Sequence, residues 1–186
     1  MDDMKIMNFG DEDIKIAGAP KKRTVEDEVN DALEELMRAK NDGNLDVANE
    51  LGRLAASHII PSEVSIIASC GDDNIDMQKR WLCIFAAMVG FERSTPSSLL
   101  AKAAINALNN ELEHNYPDIF VGSGYSTAMS FYYLAVRSSF MVEAEIGNTF
   151  AMLCGKTNDK EFASLGSALF VKMVELTESE VEEKIK

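Results

Sequence analysis

The chain has 186 residues, of which 46% are hydrophobic, and its 31 acidic and 18 basic residues give a formal net charge of −13. A chain of this length can build one domain with a large core. The excess of acidic groups repels phosphate backbones and anionic lipid headgroups, so we expect neither nucleic acid nor a membrane as a partner.

The N-terminal stretch, residues 1–23, mixes charges with isolated apolar residues and is interrupted by Gly10, Gly18 and Pro20. This pattern predicts a flexible or loosely docked arm, whose apolar side chains could still occupy a surface groove. The stretch lacks the continuous apolar run of about seven or more residues found in a signal peptide. Three widely spaced cysteines also suggest no disulfide framework, which favours a cytoplasmic protein.

Two helices joined by a tight turn are predicted at the start of a single helical domain, residues 24–186. Thr24 is suited to cap the first helix, because Asp27 follows in the first turn. Asn44 is the expected cap of the second helix, and a turn at Gly43 makes the pair an antiparallel hairpin. Helical spacing gives the first helix an apolar stripe of Val25, Val29, Ala32, Leu33, Leu36 and Met37.

The most apolar stretch, Trp81 to Phe91, lies within a predicted central helix at residues 75–93. It contains eleven residues without a charge, and a helix that is apolar nearly all round is a buried one. Eleven residues fall short of the roughly 18 that a membrane span needs. Lys79–Arg80 before the stretch and Glu92–Arg93 after it are expected to mark where the helix reaches water.

Proline and capping residues on either side of the central helix predict where the neighbouring elements begin and end. Pro61 to Cys70 is expected to form a short helix, and Asn74 to cap the central one. Thr95 is the expected cap of the following helix, because Pro96 suits a first turn, and Pro117 ends that helix.

The C-terminal third is helical in composition. From Thr127 to Gly155 the stretch is too long for one straight helix in a small domain, so we predict a break near Ser138–Ser139. Asn158 followed by Glu161 resembles a capping box that opens the last helix. No segment alternates with a period of two, which excludes a substantial sheet.

These elements predict an all-α fold, an irregular single-domain bundle of about seven or eight helices around residues 75–93. A tetratricopeptide-like stack of helical hairpins is the alternative, although the three Leu-Gly or Ile-Gly pairs of the chain show no fixed period. Gly52, Gly147 and Gly166 in these pairs are more simply positions where two helices pack closely.

Glu111 and His114 form a Glu-x-x-His pair on one helical face, which is half of the motif used by di-iron carboxylate bundles. The second half is missing, because the other histidine, His58, has no glutamate three residues before it. A polar helix end is the favoured interpretation, and a mononuclear site completed by Glu143 or Glu145 is the alternative. We therefore expect no metal and no cofactor.

The glycine-containing loop Val121 to Thr127 precedes a predicted helix, and helix N-termini bind anions through their free N–H groups. Gly122 and Gly124 alone are a weak signal, since no strand precedes them as dinucleotide-binding folds require. Ordinary capping by Ser123 or Ser126 is favoured over an anion site.

Nucleophilic catalysis lacks a recognisable signature in this sequence, because no serine or cysteine motif is paired with a base. Cys83 and Cys154 are set among apolar residues and are expected to be buried, inert thiols.

Aromatic residues cluster around Arg137, namely Tyr125, Phe131, Tyr132, Tyr133 and Phe140. Three consecutive aromatics cannot share one face of a helix, so we expect Phe131 and Tyr132 to enter the core and Tyr133 to face a partner or a cleft. A single large core contact would also explain the cluster. Arg137, Glu143 and Glu145 lie in otherwise apolar surroundings, where an ion pair with Glu92 or Arg93 is expected and a polar cleft is the alternative.

The sequence favours a helical binding or assembly module, with a homodimer formed through Tyr133 or its neighbours as the expected contact. Because both subunits are acidic, such a dimer should tighten as salt screens their repulsion. The alternative is a small enzyme or a ligand- or anion-binding protein with a cleft between the Gly122 loop and residues 137–145.

Overall fold

The computed structural model describes residues 24–138 and 140–185, so the predicted arm at residues 1–23 lies outside the described chain. The described residues form seven α-helices, a short 3₁₀ helix and no strand, which confirms the all-α prediction. The helices are α1 (Val25–Asn41), α2 (Asn44–Ile59), α3 (Asp73–Ser94), α4 (Ser98–Asn115), α5 (Gly124–Ser138), α6 (Val142–Leu153) and α7 (Lys160–Lys184), and the 3₁₀ helix is Pro117–Phe120. Within the same residues, no helix combines the length and the apolar character that crossing a bilayer requires.

The predicted central helix is α3. It packs against α2, α4, α5, α6 and α7. Side chains on all of its sides are buried, including Leu82, Ile84, Phe85 and Phe91, each of which is at most 1% exposed. An uncharged segment that is apolar all round therefore sits where the hydrophobic effect places it, in the middle of the bundle.

The helix pairing is that of an irregular bundle rather than of a hairpin stack. The most extensive contact joins α2 to α4, and α7 packs along both α3 and α6. The contact between α2 and α4 skips the intervening helix, whereas a hairpin stack would pair sequence neighbours throughout. Helix α1 contacts only α2 and α4 among the described elements.

The predicted close-packing glycines are confirmed. A Cβ added at Gly52 would lie 2.1 Å from the carbonyl oxygen of Ala104, and one added at Gly147 would lie 2.2 Å from that of Ala163. At Gly166 the nearest atom, the Cβ of Phe150, would be 2.7 Å away. Each glycine thus lets two helices approach more closely than any side chain would permit.

The prediction of a short helix from Pro61 to Cys70 is wrong. This segment forms no helix and bonds to the end of α2: the Ile66 amide donates to the carbonyl oxygen of His58 at 3.0 Å, and the Ser62 hydroxyl donates to that of Ser57 at 2.8 Å. These carbonyl groups at the helix end need partners, and the segment supplies them in an irregular conformation.

Helix boundaries agree with the sequence more closely than helix caps do. Thr24 and Asp27 form the predicted capping box of α1. The other observed caps lie one or two residues from the predicted ones: Gly43, with φ 75° and no side-chain hydrogen bond, for α2, and the side chains of Asp72, Ser97 and Asp159 for α3, α4 and α7. The predicted break between α5 and α6 is confirmed, although Ser139 itself lies outside the described residues.

Candidate functional site

A buried network of charged side chains occupies the first two turns of α3, so the expectation that Lys79 and Arg80 reach water is wrong. They are 6% and 8% exposed. The Lys79 ammonium donates to the Asp76 carboxylate at 2.9 Å and to the carbonyl oxygen of Ala68 at 2.8 Å, and the Arg80 guanidinium donates to that of Ile59. A carbonyl group of the segment between α2 and α3 and one at the end of α2 therefore replace water around the two cations.

Asp76 is the centre of this network. Its carboxylate accepts hydrogen bonds from the Ser69 hydroxyl at 2.5 Å, from the Cys70 amide at 3.1 Å and from Lys79. Desolvation raises the pKa of Asp76, but the hydrogen bonds from Ser69, Lys79 and Cys70 outweigh it and hold the pKa well below its ordinary value of 3.8. The carboxylate is thus satisfied within the chain and ties residues 69–70 to α3.

Replacing Asp76 by asparagine is expected to lower the melting temperature by about 3–6 °C at neutral pH, because the hydrogen bonds to a charged carboxylate are lost. Since the folded-state pKa is lowered, this contribution is complete above the unfolded-state pKa of about 3.9 and disappears as the pH falls through the folded value. Circular dichroism melts should therefore show a constant gap between wild type and variant from pH 7 to pH 5. The gap should narrow only below about pH 4.

The matched control is Asp73→Asn, which removes an exposed carboxylate from the same helical turn. It should change the melting temperature by less than about 2 °C. A gap between wild type and Asp76→Asn that already closes near pH 6 would contradict the lowered pKa.

His58 makes a second set of polar contacts between distant parts of the chain, which the sequence did not reveal. Its Nε2 lies 2.8 Å from a carboxylate oxygen of Glu180 on α7, and its Nδ1 lies 3.2 Å from the carbonyl oxygen of Val64. Both partners offer acceptor oxygens to the ring. His58 therefore joins α2, α7 and the segment after α2.

The loop that carries Gly122 and Gly124 packs against Trp81 of α3. Gly122 has φ +78° and an open surrounding, and a Cβ added at Gly124 would lie only 2.4 Å from the Trp81 ring. The Trp81 indole N–H donates to the carbonyl oxygen of Ile119 at 2.9 Å, which fixes the 3₁₀ helix beside it. Gly124 is thus explained by the close approach of the start of α5 to α3.

Tyr125 and Ser126 make contacts with residues of the same loop and of the 3₁₀ helix before it. The Tyr125 ring packs edge to face against Phe120 with 4.9 Å between centroids, and burial raises the pKa of its hydroxyl. The Ser126 hydroxyl donates to the carbonyl oxygen of Ser123 at 3.0 Å. Both contacts are local, so they account for these side chains without a ligand.

A cleft of about 520 Å³ separates the C-terminal half of α3 from α5. Its floor is apolar and its rim is polar, the lining residues being Phe85, Val89 and Val136 below and Glu92, Arg93, Tyr133 and Arg137 above. The Tyr133 ring packs edge to face on Phe85, 5.1 Å between centroids. Burial, followed by the charge of Glu92, raises the pKa of Tyr133. Of the predicted residues, the cleft therefore brings together Tyr133 and Arg137.

The expected ion pair between Arg137 and Glu92 is not formed, because no nitrogen of Arg137 lies within 4.0 Å of a carboxylate in the described chain. Glu143 is elsewhere, in the first turn of α6, where its carbonyl oxygen accepts a hydrogen bond from the Ser167 hydroxyl at 2.8 Å. The Gly122 loop does not line the cleft either. The predicted site residues thus fall on separate surfaces.

The expectation for Phe131 is wrong, whereas Tyr132 does enter the core. Tyr132 is fully buried and stacks on Phe85 at 5.4 Å between centroids, while Phe131 is 41% exposed. Successive helical residues differ by about 100° in direction, so the packing of Tyr132 turns Phe131 outwards. Five exposed apolar side chains lie on α5 and between α5 and α6, and we call them the α5–α6 patch: Phe131, Tyr133, Leu134, Phe140 and Met141.

Glu111 and His114 lie on α4 and line a polar groove against α2. The Glu111 carboxylate accepts a hydrogen bond from the Asn115 side chain at 2.7 Å. Across residues 24–138 and 140–185, no group of three or more histidine, cysteine or acidic side chains is placed to hold a metal ion. The pair therefore remains a half-motif in space as well as in sequence.

Two of the cysteines are buried as predicted. Burial raises the pKa of the Cys83 thiol to about 12 and that of Cys154 to about 11, which leaves little nucleophilic thiolate at neutral pH. Cys70 is exposed, and its thiol lies 3.2 Å from the Asp76 carboxylate.

Within the described chain, a row of exposed apolar side chains runs along α1. The sequence predicts this stripe but not its exposure. Among the seventeen residues of α1 only Ala39 is buried. The large side chains of the stripe are 39–77% exposed, and we call them the α1 stripe: Val25, Val29, Leu33, Leu36 and Met37. An amphipathic helix normally turns this face to a core.

Comparison of this chain with known protein families, with characterised proteins and with solved structures finds no match.

Proposed function

We propose that this protein is an assembly module that binds a protein partner through the α1 stripe. The exposure of the stripe is the observation that supports this proposal most strongly. Short helices gain most of their stability by packing an amphipathic face against something else, and contiguous exposed apolar side chains are typical of protein-binding surfaces. Within the described chain, α2 and α4 contact α1 without covering this face.

The composition favours a protein partner over the other classes. A formal net charge of −13 opposes contact with nucleic acid or an anionic membrane. The cysteines of the described chain are unpaired, in keeping with a reducing compartment, and a cytoplasmic location is part of the proposal. Self-association as a homodimer is the simplest form of assembly, because two-fold dimers are the commonest oligomers.

The α5–α6 patch is the rival contact surface for a homodimer. It contains Tyr133, and its side chains are as exposed as those of the α1 stripe. The patch lies around a helix break, whereas the α1 stripe follows one face of a continuous helix for about four turns. A regular face of this length suits the packing of a second helix, so we place the main contact on α1.

Sedimentation equilibrium should show a dimer that dissociates with a Kd of about 1–100 µM and tightens as salt is raised, because screening weakens the repulsion between acidic subunits. Leu33→Glu should raise the Kd at least about tenfold, since it places a charge in the middle of the α1 stripe. Glutamate is a good helix former, so α1 itself should persist.

Val121→Glu is the matched control, because it adds the same charge at another exposed apolar position, far from α1 in the chain. It should leave the Kd within about twofold. A wild-type monomer at about 200 µM, twice the upper end of the expected Kd range, in both low and high salt would contradict assembly by this chain. Loss of the dimer in Tyr133→Glu but not in Leu33→Glu would move the contact to the α5–α6 patch.

A ligand-binding protein is the second candidate, favoured by the cleft between α3 and α5. Its apolar floor and the guanidinium groups of Arg93 and Arg137 suit a small molecule with an apolar body and an acidic group. Saturable shifts of the Tyr133 ring resonances on addition of benzoate, absent from Arg137→Gln, would support this candidate. Their absence, together with a dimer, would leave the assembly function.

A further inference from the structure

The two ends of the α1 stripe carry opposite charges. Glu26 lies seven residues before Leu33 and Lys40 lies seven residues after it, so all three point to the same side of the helix. Both charged side chains are exposed. The other side chains of the terminal turns have the same signs: the first turn holds the acidic residues Glu26, Asp27 and Glu28, and the last turn holds the basic residues Arg38 and Lys40.

We propose that the occupant of the α1 stripe is α1 of a second copy of this chain, packed antiparallel about a two-fold axis at Leu33. This inference rests on the proposed assembly function and specifies its geometry. In such a pair, each residue before Leu33 on one copy faces a residue after Leu33 on the other copy. The two paired positions are equally far from Leu33 along the helix. Val29 then packs near Met37 of the second copy.

Charge complementarity selects the antiparallel arrangement. It places Glu26 beside Lys40 of the second copy, and by symmetry forms this pair twice. A parallel pair would instead put Glu26 beside Glu26 and Lys40 beside Lys40, and would align the two helix dipoles unfavourably. The acidic first turn and the basic last turn of α1 give the same preference at both ends of the helix.

The length of α1 sets the scale of the contact. Seventeen residues span about 25 Å. Two helices of this length bury less surface than a standard protein–protein interface, which is why a micromolar dimer is expected rather than a nanomolar one. A weak two-fold contact of this kind is a device for concentration-dependent assembly.

Site-directed disulfide formation tests the geometry in the full-length chain. Cys70→Ser removes the exposed native thiol, and Cys83 and Cys154 are buried. In this background Leu33→Cys places two thiols beside the two-fold axis, so oxidised glutathione should convert most of the protein to a covalent dimer. Val25→Cys is the matched control, because an antiparallel pair separates the two copies of this residue by about 24 Å, beyond disulfide reach.

Cross-linking of both Leu33→Cys and Val25→Cys would indicate a parallel pair and overturn the proposal. Cross-linking of neither variant, while the wild type remains a dimer in the ultracentrifuge, would also overturn it but would leave the assembly function standing. A monomeric wild type would overturn both.

Charge reversal tests the predicted pair independently. Glu26→Lys and Lys40→Glu should each weaken the dimer about three- to tenfold, because each creates a like-charge contact with the other copy. Combining them restores opposite charges and should return the Kd to within about twofold of the wild type. Additive losses in the double variant, or tighter dimers in the single variants, would exclude the antiparallel pairing of Glu26 with Lys40.

Discussion

Replacing Phe85 by alanine is expected to lower the free energy of unfolding by about 3–5 kcal/mol. Phe85 is 1% exposed and lies in α3 at the junction of three helices. Its ring stacks on Tyr132 of α5 at 5.4 Å and on Phe170 of α7 at 6.3 Å, and meets the edge of Tyr133 at 5.1 Å. Truncation therefore removes burial and aromatic contacts together, and leaves a cavity that rigid helices cannot close.

Urea unfolding followed by the fluorescence of Trp81 measures this loss directly, since Trp81 is buried in the same helix. Phe131→Ala is the matched control: it truncates the same side chain where it is 41% exposed, and should cost less than about 1 kcal/mol. A loss below about 1 kcal/mol for Phe85→Ala would mean that α3 is not the centre of the core.

The position of α3 was predictable because an uncharged run of eleven residues has one stable location in a small domain, its centre. Its polar flank was not predictable. Lys79 and Arg80 are charged, and charged side chains are almost always exposed unless they are paired. Their partners Ala68 and Ile59 are backbone carbonyl groups 11 and 21 residues away, and the sequence does not show that such groups come close.

Except at Thr24, the predicted caps differ from the observed ones because more than one residue near a helix start can act as a cap. Polar residues that can accept a hydrogen bond stand side by side at the start of α7, Asn158 and Asp159, and near the start of α3, Asp72 and Asn74. Spacing alone does not decide between neighbours of equal chemistry, and the chosen cap depends on backbone geometry. In the structure Asp159 caps α7, and Asn158 adopts a positive φ of 67° before it.

The α1 stripe shows what periodicity can and cannot establish. Spacing identifies the apolar face of a helix, because residues three and four apart share a side. It does not identify what covers that face, since the partner is a property of the three-dimensional arrangement or of another molecule. Tyr133 and Arg137 are a second example. Their spacing places them on one face of α5, but it does not show that this face lines a cleft with Glu92 and Arg93 of α3.

Replacing Gly52 by alanine is expected to destabilise the protein by about 2–3 kcal/mol, although alanine is the better helix former by about 1 kcal/mol. The added Cβ would lie 2.1 Å from the carbonyl oxygen of Ala104, and 2.8 Å from both the Cβ of Ala107 and the amide nitrogen of Leu108. These are backbone and Cβ atoms of α4. They are fixed by the helix and cannot move aside as the end of a flexible side chain would. Helix α2 must therefore move away from α4, and theirs is the most extensive helix contact of the described chain.

Urea unfolding again supplies the measurement, with Glu50→Ala as the control because it introduces alanine at an exposed position of α2 two residues away. The control should stay within about 0.5 kcal/mol of the wild type. Helix propensity and close packing predict opposite signs for Gly52→Ala, so the direction of the change decides between them. A variant as stable as the wild type, or more stable, would show that α2 and α4 are not in the close contact that this glycine permits.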